Sequence, residues 1–166
     1  KTDGSPAIRL GDGDPLGFSP DDRWLAANLP ATGNGLSLLP LGAGEARVFK
    51  AEKVRFLPER VSPWMPDGKS FLILGTEQGH GLRTYQQSID GGEPKPITPD
   101  DVVGDLISPD GTRLLCHDLQ GKFWLYPMHG GSPREVPAIA SDETAVQWLS
   151  DGKTVVVRAP GPLVVK

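Results

Sequence analysis

The sequence predicts an all-β fold built from about four copies of a four-stranded antiparallel unit. Three observations predict it. A four-residue turn motif occurs four times. Apolar residues flank each copy at fixed offsets. Gly (21) and Pro (17) are dense among the 166 residues and interrupt almost every ten-residue window. Inside a helix each would cost about 1–3 kcal/mol.

The motif reads Ser19-Pro20-Asp21-Asp22, Met65-Pro66-Asp67-Gly68, Ser108-Pro109-Asp110-Gly111 and Leu149-Ser150-Asp151-Gly152, at spacings of 46, 43 and 41 residues. Its chemistry is that of a tight turn. Pro suits the first corner, Asp bonds nearby backbone N–H groups, and Gly accepts the positive φ that ends the turn. Asp22 stands in for Gly and can also adopt that conformation.

The elements follow in chain order. Phe18, Trp64, Ile107 and Trp148 precede the four turns, each closing a first strand. Second strands follow with Leu25-Ala26-Ala27, Phe71-Leu72-Ile73, Leu114-Leu115-Cys116 and Val155-Val156-Val157. These runs are too apolar for a strand with one wet face, so both faces are expected to be covered. Third strands are Leu36–Leu39, Leu82–Tyr85, Phe123–Tyr126 and Leu163–Val165. Gly-rich corners at 42–44, 91–92 and 130–131 then lead to polar fourth segments at 46–49, 95–98 and 134–137. Proline in the later segments marks edge strands, because it cannot donate to a ladder.

Two stretches free of Gly and Pro, 45–57 and 138–151, read as strand–turn–strand and as loop then strand, rather than helix. Four strands per repeat, inner strand first and edge strand last, is the sequence form of a β-propeller blade. The expected units are 14–50, 53–99, 101–137 and an incomplete 144–166. Residues 1–10 are expected to supply the outer strand of that last, split blade. Either the ring closes with four blades, or it forms part of a larger ring, which a homodimer would complete.

The Ser-Pro-Asp-Gly turn, the large apolar residue before it and the Gly-Gly-x-Pro corner resemble the TolB-like branch of WD-repeat-like bacterial β-propellers. The resemblance runs over essentially the whole chain. The Trp-Asp dipeptide of eukaryotic repeats is absent. The resemblance implies a binding or scaffolding propeller, periplasmic or extracellular rather than cytoplasmic. Such repeats also form sensor regions of bacterial serine/threonine kinases. The family motif is structural and carries no catalytic residue.

Composition narrows the function classes. With net charge −4 and pI ≈ 5.3, and with scattered Lys and Arg, nucleic-acid binding is not expected. No apolar run approaches the roughly 20 residues of a membrane span. Cys116 is alone, so neither a disulfide nor a multi-cysteine metal site is expected, and its strand position predicts an inert core thiol. His117 reads as structural or rim-exposed. Asp12-Gly13-Asp14 hints at calcium but lacks a later bidentate Glu, so no metal and no cofactor are expected. No Gly-x-Ser-x-Gly elbow occurs.

Function is expected on the loops that vary between repeats. The hairpins joining second to third strands, 30–35, 76–81, 118–121 and 158–161, should share one end of the molecule. The links between units, 51–59, 98–104 and 138–144, are expected at the opposite end, with the Pro-Asp turns. Candidate binding residues are His80, Asp100, Asp101 and Asp118, facing a protein or a small polar ligand. Charges at Glu52, Lys53, Glu59, Arg60, Asp142 and Glu143 would extend a polar surface. The alternative is a hydrolase- or lyase-associated propeller whose site, drawing on His80 and Asp118, forms only in the complete ring.

Overall fold

The computed structural model describes residues 4, 6–29, 35–57, 64–161 and 163–165. Fifteen strands and no helix occur among them. Unit 1 is a sheet of β1 (Asp14–Phe18), β2 (Trp24–Leu29), β3 (Gly35–Pro40) and β4 (Arg47–Lys50), paired in chain order. Unit 2 holds β5 (Arg55–Phe56), β6 (Ser70–Thr76), β7 (Leu82–Ser88) and β8 (Lys95–Pro96). Its inner edge resumes at Trp64, which bridges Phe71. Unit 3 is β9 (Val102–Ile107), β10 (Arg113–Asp118), β11 (Phe123–Pro127) and β12 (Arg134–Glu135), and unit 4 is β13 (Thr144–Trp148), β14 (Val155–Arg158) and β15 (Leu163–Val165).

Each unit is antiparallel, but units 2 and 3 are not separate sheets. The two-residue β8 leaves the upper edge of β7 unpaired, and β9 takes it in parallel through Arg83 and Val102. Asp101 N–H donates to Leu82 O at 2.7 Å beside that joint.

The turns carry the conformations their residues predict. The fourth residue has positive φ in every copy: 53° at Asp22, 67° at Gly68, 73° at Gly111 and 65° at Gly152. Pro20, Pro66 and Pro109 fill the second position of their turns. Asp67, Asp110 and Asp151 each accept a backbone N–H two residues on, from Lys69, Thr112 and Lys153. Ser108 adds a buried hydroxyl that donates to Asp110 at 2.6 Å and accepts from Arg113 N–H at 2.9 Å. Ser19 does the same with Asp21 and Trp24 N–H. Consecutive turns also stack, so a Cβ on Gly111 would stand 3.3 Å from the Pro66 ring.

The core lies between units, and a strand's alternation explains how. Successive side chains point to opposite faces. Phe71, Ile73 and Tyr85 face unit 1 and meet Leu16, Ala26, Leu36, Leu38 and Phe49. Leu72 faces the other way and joins Met65 to Leu114 and Cys116 of unit 3. Leu115 and Phe123 then meet Trp148, Val155 and Val157 of unit 4. The Trp64 indole N–H donates to Gly17 O of unit 1 at 3.0 Å, and Arg113 reaches Gly152 O of unit 4 at 2.6 Å.

Two expectations need correction. Residues 6–10 form no strand; they run exposed ahead of β1, and Lys1–Asp3 and Ser5 lie outside the described residues. Pro6 cannot donate to a ladder, and so short a segment has no stability without one. The residues that follow lie across the outer face of unit 1, with Gly11 against Leu39 and Gly13 against Ala27. Phe18, in the column where Trp64 and Trp148 are buried, stays 59% exposed. Among the described residues no sheet closes on itself and no buried cluster joins unit 4 to unit 1.

The links between units also lie at the hairpin end, not with the Pro-Asp turns. An even number of antiparallel strands returns the chain to the end where it started. The Gly-rich corners take the turn end instead, with Ile89 N–H bonded to Lys69 O and Met128 N–H to Thr112 O. Within the named loops, residues 30–34 and 58–63, with Glu59 and Arg60, lie outside the described residues.

Removing the buried Ser108 hydroxyl strands the Arg113 N–H. Ser108→Ala is therefore expected to destabilise by about 1–3 kcal/mol, whereas Ser150→Ala, on an exposed residue, should change stability by less than about 0.5 kcal/mol. The Ser108 and Thr112 hydrogen bonds hold the Asp110 carboxyl down at about 2, from an ordinary 3.8. Its contribution is present above the ordinary value and is lost as pH falls toward 2. Urea denaturation of both variants across that range checks both effects.

Candidate functional site

The hairpin–link end carries two polar groupings, one at each of the last two inter-unit junctions. The first centres on Arg83, the second residue of β7. Its Nε donates to Asp100, its guanidinium lies 2.5 Å from His80 Nδ1, and Glu77 stands 3.9 Å away. His80 Nδ1 is also 3.3 Å from Asp100 Oδ2. The Tyr85 hydroxyl donates to Glu77 at 3.2 Å. Tyr85 is wholly buried, and that burial with the Glu77 charge pushes its phenol up. Desolvation pulls Asp100 upward, but Arg83 and His80 outweigh it and hold the carboxyl below its ordinary value.

Asp101 sits beside this group but does a joint's work. It adopts a positive φ of 63°. Its carboxylate accepts Leu82 N–H at 3.3 Å. Gly81 leaves room for that carboxylate, since a Cβ there would lie 2.4 Å from Oδ1. Asp118 closes its own hairpin, accepting N–H groups of Gln120 and Lys122 and the Trp124 indole N–H at 3.0 Å. These bonds hold its carboxyl low against the opposing effect of desolvation. Thus His80, Asp100 and Asp101 come together, and Asp118, paired in register with Val102 next to Asp101, lies on the neighbouring strand with its carboxylate turned to its own hairpin.

The second grouping is a cavity of about 160 Å³ between units 3 and 4, lined by Asp105, His117, Phe123, Ser141, Glu143 and Thr144. His117 Nδ1 lies 2.7 Å from Asp105 Oδ2, and the two side chains are 23% and 9% exposed. His117 also packs on the Phe123 ring, 5.9 Å between centroids. Asp105 is a β-bulge residue, skipped in the pairing of β9 with β10. Leu16 and Val146 occupy the same skipped place in units 1 and 4. Strand alternation gives no warning of a bulge, so the motif reading missed Asp105. The readable signal was a carboxylate two residues before Ile107, where units 1 and 4 hold Leu and Val.

Cys116 is fully buried, and desolvation pushes its thiol far up. Arg9 pairs with Asp12, and Gly13 abuts the Asn28 carbonyl, so Asp12-Gly13-Asp14 packs against unit 1. Among the described residues no group of three or more His, Cys, Asp or Glu could hold a metal ion. No helix long and apolar enough to cross a membrane occurs among them.

No family model and no curated protein matches the chain. Solved structures do. TolB from Acinetobacter baumannii superposes with a TM-score of 0.68 at 22% identity, over 92% of this chain. A protein described as TolB from Agrobacterium tumefaciens gives 0.68 at 16% identity, again over 92%. The fold is that of TolB-like propeller repeats. The chain spans 39% and 56% of those two proteins. A protein described as a 6-phosphogluconolactonase from Bacteroides uniformis matches less closely, with a TM-score of 0.53 at 16% identity over 96% of the chain. The shared TolB-like units account for the turns and the inter-unit core. The Arg83 group and the Asp105–His117 pair are features of particular units.

Two outcomes check this site. In Arg83→Leu, the Asp100 carboxyl should titrate closer to its ordinary 3.8 when followed by NMR, because its main counter-charge is gone. In the native protein Cys116 should resist a thiol reagent that labels it fully after unfolding.

Proposed function

We propose that the chain is a non-catalytic, TolB-like binding module that meets its partner through the hairpin–link end. One observation carries this reading. Residues common to the units serve turns and inter-unit packing, while most ion-paired side chains peculiar to single units gather at that end, with Arg47–Asp90 at the corner end the exception between units 1 and 2. Glu77, His80, Arg83 and Asp100 do so at one junction, and Asp105 and His117 at the next. A rigid scaffold with variable polar loops at one end is the usual form of a recognition surface. The partner class is a protein or a small polar ligand. A periplasmic setting goes with the TolB-like resemblance.

The competing enzymatic reading asks His80 and Asp118 to work together. Each is already engaged, His80 with Arg83 and Asp100, and Asp118 with its own hairpin. Amide chemical-shift mapping with a panel of charged peptides and small polar solutes tests the proposal. Shifts should concentrate in residues 76–83, 98–105, 118–122 and 138–144. Shifts centred on the Pro-Asp turns would contradict it, as would hydrolytic turnover abolished by His80→Ala.

A further inference from the structure

The cavity between units 3 and 4 lies where the repeat is broken at its bulge position. The bulge column holds Leu16 and Val146 in units 1 and 4 but Asp105 in unit 3. The column at the end of the second strand holds Asn28, Leu74 and Arg158, but His117 in unit 3. Among these units, only the third places a carboxylate and an imidazole in these two columns. A sheet that needed only packing would keep an apolar residue at a bulge facing the next unit. A local rule broken at a buried site points to function.

The chemistry of the lining gives the ligand's sign. Asp105 is nine-tenths buried, and Glu143, Ser141 and Thr144 add a second carboxylate and two hydroxyls from the link into unit 4. No Lys or Arg lines the cavity. The Phe123 ring lines it too, and an aromatic face attracts a cation. The donor set does not make a metal site, and a space of about 160 Å³ exceeds what a bare ion needs. Asp105 engages His117 through Nδ1, so Nε2 is the ring's remaining polar atom. Gly121 packs on the Ser141 backbone, where a Cβ would stand 2.8 Å from the carbonyl oxygen, and this braces the hairpin against the link.

We propose that this cavity binds a small organic cation, a primary alkylammonium group such as a free amine or the end of a lysine side chain. Asp105 and Glu143 supply the charge, Ser141 and Thr144 accept from the ammonium, and Phe123 receives the alkyl part. This deepens the binding-module reading and rests on it for the choice of end.

Propylammonium is the probe, with propanol and propionate as neutral and anionic counterparts of similar size. Titration is followed by NMR at the His117 ring and at the Gly121 and Thr144 amides. Saturable shifts are expected with propylammonium, at least about tenfold tighter than with propanol, and none with propionate. Asp105→Asn should weaken binding by about tenfold or more. Glu143→Gln keeps a side-chain oxygen that can accept the Ala140 N–H, as the Glu143 carboxylate does at 2.8 Å, and should weaken binding in the same direction. Equal responses to propanol and propylammonium would overturn the proposal, as would no saturation or a Glu143→Gln variant that binds unchanged. If polar probes still map to the hairpin–link end while propylammonium leaves the cavity untouched, only this inference fails.

Discussion

A four-stranded sheet in this chain has two apolar faces, and neither can be left in water. Everything else in the structure depends on covering them. Leu72 and Leu114 illustrate the solution, each buried by residues of the neighbouring unit. Burying one such side chain is worth about 1.5–3 kcal/mol, and each inter-unit cluster contains several. Two-residue edge strands such as β8 and β12 contribute few ladder bonds, so the sheets cannot rely on width. Stability therefore resides at junctions, as in other repeat proteins where each unit leans on its neighbours. The end faces are the exception. The outer face of unit 1 is partly covered by the segment before β1, and Phe18 remains in contact with water.

Much of this was legible in the residues. Turn chemistry is local, so Pro, Asp and Gly announced the turns and even the positive φ at Asp22. Doubly apolar second strands announced sheets stacked on both sides. Three features were hidden for physical reasons. The skipped residues Leu16, Asp105 and Val146 depend on register, which sequence alternation does not encode. The parallel joint of Arg83 with Val102 depends on how short β8 is. The end at which the links lie follows from strand parity, and the motif-based expectation put them at the wrong one.

The same division separates fold from site. His80, Asp100 and Asp101 were singled out by their loops, and they do meet around one junction, yet the residue that gathers His80 and Asp100 is Arg83, on a strand. Asp118 was singled out for the same reason and turned out to close its own hairpin. His117, read as structural or rim-exposed, is bonded to Asp105 and lines a cavity. A residue's column in the repeat proved more informative than its type. Where a column changes from apolar to ionisable, packing no longer explains it.

Each junction stabilises both units beside it, and native-state hydrogen exchange on Leu114→Ala measures this. That change removes a wholly buried side chain shared by units 2 and 3 and should cost about 2–5 kcal/mol. Protection should fall by roughly 1.5 orders of magnitude or more in β6 and β7 as well as in β10 and β11, with a smaller loss in β2 and β3. A loss confined to β10 and β11, leaving unit 2 as protected as before, would contradict it.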